Sequence, residues 1–324
     1  MVDLSVVEAS NDRLPAHITA VFVGATSGIG LYTLRALVRH CTHPTIYFIG
    51  RSHDAGTRIL SELRSTNPTG KYTFLPSDVS LLKNVDALCE TIKQAERHLN
   101  LLFQSQGTMD SSATTQEGLP AMASLALHSR TRFTLNLLPL LRAAPSPRRV
   151  VSVLTGTKEA PITAPDVYLR GLGMAKLRGE SASMVTLSLE EAARRAPEVS
   201  FVHTFPGPVS TGIAREGGRM MLGLTKVMQV LLWPFYVSEG ETGERHLFAA
   251  TSARFPAQSE EGEDPAVGTD GRVGSGVYTV DEKSEVGGVG VLGTLRRSRD
   301  EGKGEWVWGE LRKDFVRITG QECL

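Results

Sequence analysis

The chain has 324 residues, 41% of them hydrophobic and 22% charged, and its 35 basic and 35 acidic side chains cancel to a formal net charge of zero. That length allows one or two folding units with ample core, and the charge balance excludes a basic nucleic-acid binder and a globally disordered chain. Cys41, Cys89 and Cys323 are too widely spaced for a zinc or redox motif, which excludes a disulfide scaffold and points to a reducing, cytoplasmic setting. Residues 1–17 lack a basic start followed by an apolar run, so they read as a lead rather than a secretory signal.

Strand and helix patterns then alternate. Ile18 to Val23 is a short β-branched run closed by glycine, and Leu31, Leu34, Leu37 and Val38 share one helical face behind it. Thr45 to Ile49 predicts a second strand, followed by a helix through Ile59 and Leu63. Tyr72 to Leu75, then Val85 to Ala95, make the third such pair. Leu101 to Phe103 is a fourth strand, with a long helix over roughly Leu119 to Leu141. Arg149 to Leu154, a helix over Leu172 to Ala193, and Val199 to Thr204 complete the series. This alternation predicts an α/β fold: a doubly wound, Rossmann-like parallel sheet with helices on both faces, as a single domain with a C-terminal extension.

After Ala250 the texture changes, and residues 256 to 310 are rich in Gly, Glu, Asp and Ser. Gly276 to Val280 reads as a last strand. Around it the sequence predicts a flexible insertion at about 256–272 and a loose tail over 283–324. Met220 to Val237 is the most apolar stretch of this half, but Lys226, Gln229 and Pro234 interrupt it. A buried or interfacial helix is expected there rather than a transmembrane span.

Gly24-Ala25-Thr26-Ser27-Gly28-Ile29-Gly30 lies directly between the first strand and the first helix. Small residues there let the backbone approach a pyrophosphate, while free N–H groups and the helix N-terminus supply positive potential. With this G-x-x-x-G-x-G spacing the sequence resembles the short-chain dehydrogenase/reductase family over residues 18 to 282. Asp78-Val79 follows the third strand, where the family contacts adenine. Gln104-Ser105-Gln106-Gly107 stands for its Asn-Asn-Ala-Gly, and Pro206-Gly207-Pro208-Val209-Ser210-Thr211 matches its Pro-Gly-x-Val-x-Thr. Phe133, the run Asn136 to Leu141 and the run Val199 to Thr211 are closest to members from fungal secondary metabolism. The resemblance implies a nicotinamide cofactor held by Gly24, Thr26, Ser27, Gly28, Ile29, Gly30, Asp78, Val79, Gly107, Pro206, Gly207, Val209 and Thr211. Two braces differ: Val23 replaces the usual threonine and Ser105 an asparagine, so the hydrogen bond between those positions is absent or rebuilt.

An NAD-preferring site places a carboxylate just after the second strand. Here Gly50-Arg51-Ser52 stands there and the nearest acid is Asp54. Arg51, assisted by Arg58, suits a 2′-phosphate, which predicts NADP(H) over NAD(H).

The family resemblance also implies acid-assisted hydride transfer. A tyrosine protonates the carbonyl oxygen, a lysine four residues on lowers its pKa and holds the ribose, and a serine bonds the carbonyl. Tyr-x-x-x-Lys is missing here. Thr155 takes the serine position, and two registers compete for the rest. Tyr168 has the usual separation from Thr155 but leads to Leu172. Lys176 fits the following helix but puts Leu172 at the tyrosine position. Tyr168 and Lys176 are about 12 Å apart along a continuous helix, so both serve only if Tyr168 folds back from a preceding loop. Thr155, Tyr168 and Lys176 are the candidate catalytic set. His128, near an additional family asparagine, reads as a packed histidine or a proton relay, and His203 as structural.

Beyond Thr211 the family builds a substrate lid, expected here at about 212–240. Its methionine-rich apolar surface suits a hydrophobic small molecule, core packing or the interface of a homo-oligomer. Two functions follow. One is an NADP(H)-dependent interconversion of carbonyl and alcohol in secondary metabolism. The other is a degenerate member that binds nucleotide or metabolite without redox turnover, in an isomerase-like or accessory role.

Overall fold

Seven parallel strands form one sheet in the order β3-β2-β1-β4-β5-β6-β7 in the computed structural model, which describes residues 2–209 and 237–323. The strands are β1 Thr19–Val23, β2 Thr45–Gly50, β3 Lys71–Pro76, β4 Leu101–Gln104, β5 Arg149–Val153, β6 Ser200–Thr204 and β7 Val277–Val280. Strand order reverses between β1 and β4, so the two halves wind outward and leave a crevice at their carboxyl ends. β1, β4, β5 and β6 are buried along their whole length, as a sheet covered on both faces requires.

Successive residues of β1 feed opposite cores. Val21 and Val23 pack with α4 (Leu82–Ala95), α6 (Ser129–Ala143) and α7 (Met174–Arg195). Ala20 and Phe22 pack with α2 (Gly28–His40), α3 (His53–Thr66) and α8 (Glu239–Thr251). The long helix expected from Leu119 is broken into α5 (Ala121–Ala123), a π turn (Ser124–His128) and α6. Such a turn widens the helix by one residue and is frequent at functional sites. Residues 1–17 include α1 (Leu4–Asn11), capped by Asp3 and tied to α8 through the Asn11 side chain, whose amide donates to Glu244 Oε2 at 2.7 Å.

One expectation is corrected. The segment from 283 onward is not a loose tail: α9 (Val289–Asp300) and α10 (Lys303–Thr319) occupy most of it. Val307, Trp308, Leu311 and Phe315 recur at helical spacing and are buried against α7 and α4. Arg132, itself fully buried, grips the end of this helix through Thr319 Oγ1 and the Gln321 and Glu322 carbonyls. Burial of four large side chains outweighs the glycine and charge that dominate the composition there. Thr211, residues 212–236 of the proposed lid and the apolar stretch from Met220 to Tyr236 lie outside the described residues, and the end of the proposed lid opens α8. No helix among the described residues is long and apolar enough to cross a membrane.

Candidate active site

A cleft of about 740 Å³ opens at the carboxyl ends of β1 to β4. Gly24, Thr26, Ser27, Gly28 and Ile29 form its floor, Arg51, Asp78 and Val79 one wall, and Gly107 the turn opposite. Gly24 has φ +79°, and a Cβ there would lie 2.7 Å from the Gln106 backbone nitrogen, so only glycine fits. Gly30 lies beneath the floor, where a Cβ would strike the Ser105 hydroxyl and approach the Gly24 carbonyl to 2.9 Å. Ser27 caps α2 without a side-chain hydrogen bond. The first amides of α2 therefore face the cleft without a side-chain acceptor from their cap.

The brace lost with Val23 is rebuilt. Ser105 Oγ donates to the Val23 carbonyl at 3.1 Å and lies 3.3 Å from that of Gly24. One hydroxyl at the asparagine position thus engages the turn's backbone directly. Behind it sits Arg130, which sequence reasoning missed. Its guanidinium is buried and donates to the carbonyls of Leu125, Gln104 and Gln106 and to Ser152 Oγ. Burial pulls its pKa down to about 9. The sequence signal was an arginine inside an apolar helical stripe. The far wall, Thr108 to Gln116, was also missed, because a polar loop carries no periodicity.

Arg51 is exposed on the rim after β2, whereas Arg58 is exposed on α3 and does not line the cleft. Pro206, Gly207 and Val209 follow β6 and are not part of the cleft lining. Gly207 has φ +71° and packs on the Glu282 side chain.

The three candidate catalytic residues are not hydrogen-bonded to one another. Thr155 Oγ1 donates to the Arg178 carbonyl at 3.1 Å, and its amide donates to His203 Nε2 at 3.2 Å. Lys176 is exposed on the first turn of α7. Tyr168 does lie on a loop before that helix, but it turns toward α10. Its hydroxyl donates to Asp314 Oδ1 at 3.3 Å, and its ring stacks on His128 with centroids 6.1 Å apart. Burial and then the Asp314 charge raise the Tyr168 pKa, the reverse of what a proton donor near neutrality needs. The acid role expected for Tyr168 therefore finds no support in its contacts. Leu172, at the family's tyrosine position in the other register, packs against the apolar core.

His128 is fully buried, with Nε2 3.0 Å from Asp314 Oδ2 and Nδ1 3.2 Å from the Ala123 carbonyl. It ties the π turn to α10. Burial works to raise the Asp314 carboxyl, but hydrogen bonds from His128 and Arg317 outweigh it and hold its pKa at about 2. Among the described residues no group of three metal-ligating side chains occurs.

The described fold is shared with known proteins. Residues 18–220 match the family model for short chain dehydrogenases. The chain is 42% identical over 304 residues to an oxidoreductase of Emericella nidulans, AN1596, covering 88% of this chain and 90% of that protein. It is 36% identical to the oxidoreductase andH of Emericella variicolor, over 99% of this chain and 98% of that one. The Pseudomonas aeruginosa RhlG/NADP complex superposes with a TM-score of 0.55 at 18% identity, covering 75% of this chain and 92% of that structure. The chain belongs to the short-chain dehydrogenase family and is an oxidoreductase.

Proposed function

We propose that this oxidoreductase uses NADP(H) in preference to NAD(H) and interconverts a carbonyl and an alcohol on a hydrophobic small molecule of fungal secondary metabolism. The observation that carries the cofactor preference is Arg51 on the cleft rim directly after β2, with no carboxylate at that position. A guanidinium there matches a 2′-phosphate by charge and by bidentate geometry. The cradle fits the cofactor, since Gly24 and Gly30 let the turn close tightly on Ser105 and Gln106 and the first amides of α2 face the cleft without a side-chain cap. Gly24 to Ile29 would hold the pyrophosphate, Asp78 and Val79 the adenine, and Lys176 the nicotinamide ribose. When bound, NADPH supplies the hydride. Thr155 would orient the substrate oxygen, its hydroxyl leaving the Arg178 carbonyl for the substrate. The fungal relatives and the resemblance around Phe133 and Asn136 support the metabolic setting.

Arg51→Asp tests the preference. NADPH binding should weaken about a hundredfold and NADH binding less than threefold, read by quenching of intrinsic fluorescence. Equal losses for both nucleotides would overturn it. Reduction of a panel of apolar ketones, followed at the NADPH absorbance, tests the reaction, and no turnover of any member would count against it.

A further inference from the structure

Beneath the end of β5 lies a group of buried polar side chains centred on Glu159 and His203. Glu159 and His203 have no exposed side-chain surface, and His203 Nδ1 lies 3.7 Å from Glu159 Oε1. Because the Thr155 N–H donates to Nε2 of His203, the ring proton sits on Nδ1, 2.8 Å from Thr186 Oγ1. Thr186 in turn donates to Glu159 Oε1 at 2.8 Å, and Thr279 on β7 donates to the same oxygen at 2.7 Å. Thr279 Oγ1 accepts the Thr157 N–H at 2.5 Å. Two routes thus run from the ends of the Thr155–Thr157 turn to a single carboxylate oxygen.

The turn needs that grip. Thr157 has φ +65°, a left-handed conformation that a β-branched side chain adopts only where its surroundings impose it. Glu159 Oε2 has no hydrogen-bond partner among the described residues, so the carboxylate is kept buried at a cost. Ser152 pairs with His203 in the β5–β6 register and accepts from Arg130, which also holds the Gln104 and Gln106 carbonyls. The Arg130 group that holds the cofactor loop therefore lies next to the chain that holds the Thr155 turn, as neighbours on β5 and β6.

We propose that Glu159 is a positioning residue for the reaction, fixing the Thr155–Thr157 turn through Thr186 and His203 on one side and Thr279 on the other. The inference rests on Thr155 orienting the substrate oxygen. A turn held at both ends keeps the Thr155 backbone in place, so that only its hydroxyl has to turn from Arg178 to the substrate, and a positioned donor of this kind acts on the rate.

Hydrogen–deuterium exchange of the peptide spanning residues 151–158, in the NADPH-saturated full chain, reads the grip directly. Glu159→Ala should accelerate exchange there about tenfold while the Kd for NADPH stays within about twofold. Thr186→Val, which cuts one route with little change of volume, should do so less strongly and decides the matter if Glu159→Ala does not fold. Thr186→Ser should restore wild-type exchange. With a ketone that the wild type reduces, Thr186→Val should lower kcat several-fold and leave the KM for NADPH unchanged. Wild-type exchange in both variants, or acceleration spread evenly over all seven strands, would overturn the proposal. Thr155→Ala separates the two readings. If it reduces ketones as the wild type does, Thr155 has no catalytic part and Glu159 only braces a turn, whatever the exchange shows.

Discussion

The two ends of the site are built in different ways. At the end proposed for the cofactor, the cleft is built from backbone: a left-handed Gly24, amides of α2 without a side-chain cap, and a turn packed too closely on Gln106 for a Cβ. At the catalytic end it rests on side chains whose partners come from far along the chain. Tyr168 finds Asp314 146 residues away, and Glu159 finds Thr279 120 residues away. A backbone cradle tolerates almost no substitution but is specified by neighbours in sequence. A side-chain assembly can be rearranged residue by residue, and here Tyr-x-x-x-Lys is missing in either register.

The sharpest break in that comparison is Gly24→Ala. The new Cβ meets the Gln106 backbone at 2.7–2.8 Å and φ is +79°, so turn and cofactor loop must separate. Strain of about 1–3 kcal/mol adds to the overlap. NADPH binding should weaken by about a hundredfold or more in titration calorimetry, whereas no single substitution at Thr155, Tyr168 or Lys176 should weaken it as far.

The same contrast decides what could be read from the sequence. The strand and helix series was legible because each element carries its own periodicity, and the glycine turn because its spacing is local. Ser105 was legible as a departure, but not as the replacement brace, because its acceptors are backbone carbonyls. The partner of Tyr168 was not legible, since α10 itself was hidden: Val307, Trp308, Leu311 and Phe315 keep helical spacing, but the surrounding Gly, Glu and Ser read as tail. The π turn had no signal at all.

Arg132 tests whether the catalytic end depends on that hidden helix. Its guanidinium pairs with both oxygens of Asp86 at 2.7 Å and holds the α10 terminus, with no exposed surface. Removing one partner of a buried pair costs about 3–5 kcal/mol. Arg132→Ala should lose stability of that order in urea unfolding, with exchange rising first in α10 and not in α2. Uniform loss over both ends would erase the distinction.

Acid should also separate the two ends. Behind the cofactor half, His246 on α8 packs edge-on to Phe103, and burial lowers its pKa to about 4. It is neutral in the fold and binds a proton more readily when unfolded, at an ordinary pKa of about 6.5. Its contribution is therefore complete above about pH 6.5 and is lost as pH falls toward 4, by about 1.4 kcal/mol per unit and about 3 kcal/mol in all. Asp314, under the catalytic half, has its pKa lowered instead, so its contribution persists above the ordinary 3.8 and is lost as pH falls toward 2. Urea midpoints of wild type and His246→Gln should converge between pH 6.5 and 4. Those of wild type and Asp314→Asn should converge only below 4.

Tyr168→Phe carries the smallest expected effect and tests the catalytic end most directly. The variant deletes one 3.3 Å hydrogen bond to Asp314 and leaves the stack on His128 intact. A neutral donor to a carboxylate that His128 and Arg317 already serve should contribute no more than about 1 kcal/mol to stability. If the hydroxyl only anchors the loop to α10, ketone reduction should stay within about twofold of wild type across the neutral range. A tenfold or larger fall in kcat, with the KM for NADPH unchanged, would mean that the loop swings Tyr168 into the site during turnover. The Asp314 contact would then be a resting position from which the acid is released. That outcome would also require Asp314→Asn to change kcat, because the resting contact from which the phenol is released would be weakened. With both variants at wild-type rates, proton delivery passes to a group other than either tyrosine position, and the catalytic end has departed from the family pattern in chemistry as well as in sequence.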